Sequence, residues 1–161
     1  MKFQQSDGQS QITGDFSGLE KLVAKLKEKH FVEVGVFKEA KAPDGTSVAG
    51  YMAPNEFGDI VGKKKIPKRS FIRMPLEVKS KKIQNYVYLK AKKHLEAGDV
   101  LAIFEDIGIA AESVIQEAFD TRGFGTWPPN AEKTIALKKS DAPLIDKGLA
   151  RKSITYRTDK K

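Results

Sequence analysis

The chain has 161 residues, of which 40% are hydrophobic and 31% charged, with a net charge of +8 and no cysteine. That length suits one domain with tails, able to bury about 68–70% of its unfolded surface without staples. The composition excludes disulfides, thiolate nucleophiles and zinc–thiolate sites; the opening residues lack the apolar core of a signal peptide, and no apolar run approaches the roughly 20 residues of a membrane-spanning helix.

Residues 1–16 are polar and read as an extended arm or a weak first strand. Leu19, Leu22, Val23 and Leu26 then recur at helical spacing, with Ser17 as N-cap and Glu20 completing a capping box. Phe31 to Phe37 alternates, with Val32, Val34 and Val36 on one face of a strand. The turn residues Pro43, Asp44, Gly45 and Gly50 mark a loop. Tyr51–Phe57 reads as a short helix closed by Gly58, with Pro54 acceptable only in its first turn. Residues 59–66 are a Lys-rich hairpin or loop. One helix is predicted from Ser70 to about residue 95, and another from an Asp99 cap to Asp120. The second is apolar on two sides, which fits a helix buried between layers or between subunits. After a loop over 121–143, Asp146 caps a short turn from Leu149 to Lys152, and Ile154–Arg157 forms a last strand.

This order predicts an α+β fold: a small, mostly antiparallel sheet packed against two long helices and one shorter N-terminal helix, with long loops. The domain plan is an arm at 1–16, a single domain at 17–157 and a basic tail at 158–161.

Charge is distributed in blocks. Residues 61–94 hold Lys or Arg at 63, 64, 65, 68, 69, 73, 79, 81, 82, 90, 92 and 93 against one acid, Glu77. Residues 95–120 hold Glu96, Asp99, Glu105, Asp106, Glu112, Glu117 and Asp120 and no base. Three readings are open: two solvated helix faces that pair with each other, a phosphate-attracting surface for nucleic acid, or complementary patches on neighbouring subunits.

No catalytic constellation emerges. Gly58-Asp-Ile-Val-Gly62-Lys63-Lys64 is one residue short of a phosphate-binding loop and has Lys64 where a magnesium-binding hydroxyl belongs. Gly123-Phe-Gly125 lacks the third glycine of a dinucleotide turn. His30 and His94 fall at helix ends and are expected to face solvent or cap carbonyls. Asp99, Glu105, Asp106 and Glu112 read as a solvated helix face rather than a metal cluster. The expectation is therefore a protein with no catalytic residue, cofactor or metal. The loop bearing Trp127, Pro128 and Pro129 reads instead as a docking surface.

Three ordered segments carry a family resemblance. Tyr51-Met-Ala-Pro-Asn-Glu-Phe-Gly58 is similar to a helix ending in Asn/His-Glu/Gln-Phe-Gly. Ile66-Pro-Lys-Arg69-Ser-Phe71 is similar to an Ile-Pro-x-Arg-Pro-Phe-Leu signature, with Ser70 in place of Pro. Trp127-Pro-Pro, Thr134, Lys138 and Leu144-Ile-Asp-Lys-Gly148-Leu-Ala-Arg-Lys-Ser-Ile154 are similar to a Trp-x-Pro-Leu … Leu-x-Asp-Thr-Gly-x-Leu-x-x-Ser-Ile pattern, with Lys147 in place of Thr. Over about residues 31–157 the chain resembles the virion morphogenesis, or tail-completion, proteins of tailed bacteriophages, which are related to head–tail joining and tail-terminator proteins.

The resemblance implies a non-enzymatic structural protein of the phage neck, assembled in the host cytoplasm. It would form a ring, commonly a hexamer, that caps the tail tube and joins the head. The implied partners are copies of itself, the tail-tube protein and head connector or neck proteins, with no membrane. A head-side connector and a basic DNA-binding protein are the alternatives. Lys63, Lys64, Lys65 and Lys68 are the candidate contacts to channel DNA or a neighbouring subunit.

Glu56, Phe57, Gly58, Pro67, Arg69, Phe71, Trp127, Pro128, Asp146 and Gly148 are the candidate interface and structural residues. Pro67 fixes φ, and Arg69 offers a planar fork for a carboxylate, within the chain or beyond it. Phe71 anchors the following helix. Asp146 caps a tight turn before Gly148. Trp127 serves as an interface anchor or as a lid on the protein's own core.

Overall fold

A computed structural model describes residues 2–6, 9–13, 15–61 and 64–160. In chain order the elements are β1 (Lys2–Ser6), β2 (Gln9–Thr13), α1 (Ser17–Lys27), β3 (His30–Val36), α2 (Val48–Phe57), β4 (Asp59–Val61), β5 (Lys64–Ile66), α3 (Arg73–Val78), α4 (Ser80–Glu96), α5 (Val100–Asp120), α6 (Glu132–Lys138), α7 (Leu149–Lys152) and β6 (Ile154–Lys160). The strands pair antiparallel, two by two: β1 with β2, β3 with β6, and β4 with β5. The class is α+β, as the pattern predicts, with helices gathered on the β3–β6 ribbon.

Helix α5 is the axis. The Asp99 carboxylate caps it by accepting from Ala102 N at 3.2 Å. Its two apolar sides have separate uses, with α4 packed along one and the β3–β6 ribbon across the other. The ribbon register places Val34 opposite Tyr156 and Val36 opposite Ile154. Helix and ribbon meet at Gly108, where a Cβ atom would lie 2.1 Å from the Tyr156 ring. No side chain fits there, so the glycine sets how closely α5 approaches β6.

The core gathers where the C-terminal half of α5 meets α2, α7 and the start of β6. Val48, Met52, Phe71, Ile115, Ala118, Phe119, Trp127, Ala150 and Ile154 form one buried cluster. Phe119 stands between two edge-on aromatic partners, Phe71 at 5.9 Å and Trp127 at 5.5 Å between ring centroids.

Several local expectations are corrected. Ser17 is the first residue of α1 and not its cap; its N–H is taken by the Asp15 carboxylate at 2.9 Å, and no side chain caps the helix at Phe16. Helix α2 starts three residues earlier than expected because Ser47 Oγ accepts from Gly50 N. Pro54 therefore lies inside the helix, past its first turn, where its missing N–H removes one ladder bond. The helix expected from Ser70 is two helices, since Lys79 adopts φ −102° and ψ 15° and separates α3 from α4. The 121–143 segment contains α6, with Glu132 in its first turn and Lys138 in its last. Strand β6 continues to Lys160, so residues 158–160 are strand and not a tail. The 1–16 arm holds the β1–β2 hairpin.

Candidate functional site

The three segments that carry the family resemblance meet at one place. At the C-terminal end of α2, Glu56 is only 4% exposed. Its carboxylate accepts from Ser70 Oγ at 2.6 Å, from Phe71 N at 2.6 Å, from Ile72 N at 3.0 Å and from Arg73 N at 3.2 Å. Arg73 Nε adds a charged contact at 3.4 Å. A buried carboxylate is tolerated only when its oxygens are saturated by donors, and here three successive backbone N–H groups and a hydroxyl do this. Those N–H groups lead into α3, Phe71 and Ile72 just ahead of it and Arg73 as its first residue, where they have no intrahelical acceptor. Ser70 Oγ also accepts from Met74 N at 3.1 Å, so the serine links the carboxylate to the helix it starts.

The second strut is Arg69, 7% exposed. Its backbone N–H donates to Asn55 O at 2.6 Å. Its guanidinium donates through Nε to Pro128 O at 2.8 Å and through Nη2 to Pro129 O at 2.7 Å. The fork expected for a carboxylate is thus filled by two consecutive carbonyls. Proline suits the acceptor positions because its ring fixes the backbone that presents them. Burial lowers the Arg69 pKa from its ordinary value.

The third strut is Trp127, whose indole Nε1 donates to Ser70 O at 3.1 Å while the ring packs on Phe119. At 8% exposure it is a lid within this chain's own core, so it is not an exposed interface anchor. Phe71 is buried, as expected of an anchor.

Around this clasp the surface is polar and aromatic. Phe57, 62% exposed, lies under the Arg73 guanidinium at 5.0 Å. Gly58 turns the chain with φ 77°, and a Cβ there would press on Lys68 at 3.3 Å. Pro67 is half-buried; Lys65, Lys68 and Pro128 are exposed. Lys64 lies in β5. Lys63 is outside the described residues. A cleft of about 340 Å³ opens beside the clasp, lined by Lys68, Arg73, Glu77 and Thr126 among others. Asp146 is exposed and does not cap α7, which begins after Gly148 without a side-chain cap. Gly148 is needed for its left-handed φ of 73°.

A second polar cluster joins α4 to α5, as the reading in which the two charge blocks pair with each other expects, although its buried centre at Asp106 was not foreseen. Asp106 is 5% exposed and so is not part of a solvated face. It accepts from Lys90 Nζ at 2.8 Å and lies 2.7 Å from His94 Nε2. Lys90 also donates to Tyr86 Oη at 2.6 Å. Burial pushes the Asp106 carboxyl up, but the Lys90 and His94 hydrogen bonds outweigh it and hold the group below the ordinary aspartate value. The hydrogen bond to Asp106 raises Lys90 in turn. Further along the seam, Glu117 pairs with Lys79 at 3.1 Å and Lys82 at 2.6 Å. The readable signal was the four-residue spacing of Lys90 and His94, which puts both on one side of α4.

His94 is thus a hydrogen-bond partner of Asp106. His30 is buried rather than solvent-facing: its side chain is 6% exposed and stacks on Phe104 at 4.8 Å, while its Nε2 lies 3.4 Å from Lys25 O in the last turn of α1, the helix-end carbonyl contact expected of it. Among the described residues, no three His, Asp or Glu side chains gather as a metal would require. No helix among them is long and apolar enough to cross a membrane. No family model, curated protein or solved structure matches the chain.

Proposed function

We propose that the chain is a structural subunit of a bacteriophage neck: a tail-completion or tail-terminator protein whose ring caps the tail tube and joins it to the head. One observation carries the reading. The segments that resemble this family, far apart in sequence, are tied by direct hydrogen bonds between Glu56, Arg69, Ser70, Trp127 and the two prolines. The rest of the third segment joins them through Leu144, Ile145, Leu149, Ala150 and Ile154, which pack in or against the same core cluster. Residue types at these spacings have a shared physical purpose, namely to brace three loops against α5.

The proposed role is mechanical: rigid loops present a fixed surface to neighbours, and no bond is made or broken. The protein acts in the virion, with itself, the tail-tube protein and neck proteins as partners. Exposed Lys65 and Lys68 beside the clasp suit either a neighbouring subunit or channel DNA. Electron microscopy of the purified protein, alone and with tail tubes, tests the reading. Rings, and tubes capped at one end, are expected; bare tubes would overturn it. Co-purification with portal rather than tube protein would move it to the head side.

A further inference from the structure

Helix α5 is covered on most of its circumference and leaves one stripe free. Leu101, Glu105 and Ile109, spaced four apart, are exposed, and Glu112 is half-buried beside them. The other acids of the helix are used within the chain, Asp106 by Lys90, Glu117 by Lys79 and Lys82, and Asp120 by Arg151 at 2.6 Å. Among the described residues, no cation pairs with Glu105 or Glu112.

The outer face of α4 has the opposite character. Tyr88 and Leu89 are 81% and 80% exposed. Lys81 stands seven residues before Tyr88, Lys92 four after it, and Lys93 four after Leu89, all exposed. Of these, Lys92 alone has an ion pair, a 3.9 Å contact with Glu96 of its own helix. An adjacent Tyr–Leu pair this exposed is the kind of patch that marks a contact surface.

We propose that these faces are the two halves of one head-to-tail contact between copies of the chain. Tyr88 and Leu89 of one copy pack on Leu101 and Ile109 of the next, and Lys81, Lys92 and Lys93 approach Glu105 and Glu112. The dimensions agree: at 1.5 Å per residue, 81–93 spans about 18 Å and 101–112 about 17 Å. Both patches place apolar side chains beside charges of the helix they stand on, chiefly lysines on α4 and glutamates on α5.

Charge also selects which patches pair. A two-fold contact of α4 on α4 sets lysines against lysines, and α5 on α5 sets acids against acids, whereas α4 on α5 is complementary. Used once each, with the α4 patch of one subunit on the α5 patch of the next, the two patches propagate into a ring or a filament. The inference rests on the ring reading above and names the surfaces that build it.

Analytical ultracentrifugation at low salt tests it with three samples: the natural chain, K81E/K92E/K93E and E105K/E112K. Each reversed variant is expected to associate at least about tenfold more weakly. An equimolar mixture should recover association, since the acidic α4 of one variant faces the basic α5 of the other. Association of the natural chain should weaken as salt rises. Should a reversal impair folding by circular dichroism, Y88S/L89S supplies the same test from the apolar side. A natural chain that stays monomeric, a reversed variant that associates like it, or a mixture that does not recover would overturn the proposal. Tubes still capped by both reversed variants would reject these surfaces and leave the neck function standing. Self-association that obeys the charge reversals beside uncapped tubes would reject the function and keep the surfaces.

Discussion

Charged side chains hold the molecule together at two places, and the fold treats them in opposite ways. In the clasp, Glu56 and Arg69 are removed from water, and backbone groups meet both: N–H donors for the carboxylate, carbonyls for the guanidinium. In the α4–α5 seam, acids meet lysines whose heads stay in solvent, with Lys90 44% and Lys82 59% exposed at the side chain. A buried charge fixed by backbone dipoles determines the paths of the loops that supply them. A solvated pair adds modest energy and leaves the backbone free to move.

That contrast is broken most forcefully at Glu56. Glu56→Ala strands three backbone N–H groups and the Ser70 hydroxyl, and should cost about 3–5 kcal/mol in urea unfolding. A loss below about 1 kcal/mol would show that water replaces the carboxylate and that the clasp is not the brace described.

Asp106→Asn comes next, at about 1–2 kcal/mol at neutral pH. Asp106 is held below its ordinary value of 3.8, so its pairing contributes fully above that pH and is lost as pH falls through the lower folded value. The gap between the natural and Asn chains should therefore narrow as pH falls below 3.8, and a gap that stays constant on acidification through and well below that pH would contradict the assignment. The smallest effect is expected for Lys82→Ala, at most about 0.5 kcal/mol and abolished by molar salt. A larger, salt-insensitive loss would erase the distinction between seam and clasp.

The helices were legible where periodicity and caps agreed. Asp99 and the two apolar stripes of α5 defined that helix closely, and the alternation of Val32, Val34 and Val36 defined β3. The short elements were not. Helix α6 has a half-buried Ile135 and an exposed Leu137, so no stripe marks it. The α3–α4 break depends on the backbone of Lys79, which no residue type announces. At the site, the residues were readable but their partners were not. Arg69 was expected to find a carboxylate and found carbonyls, because acceptors on the main chain leave no trace in a sequence. Asp106 was assigned to solvent because its lysine and histidine lie on another helix.

The ribbon beside α5 joins residues that are remote along the polymer: His30 lies across from Lys160, and Val36 from Ile154. Tyr156 then occupies the notch at Gly108. The early strand therefore has no sheet partner during synthesis until the last strand has emerged from the ribosome, and the notch stays open until then. Closing so long a loop is slow, and the nascent chain carries an unpaired valine-rich edge until β6 is made. The pairing of β6 is thus the step that commits β3 to its native place.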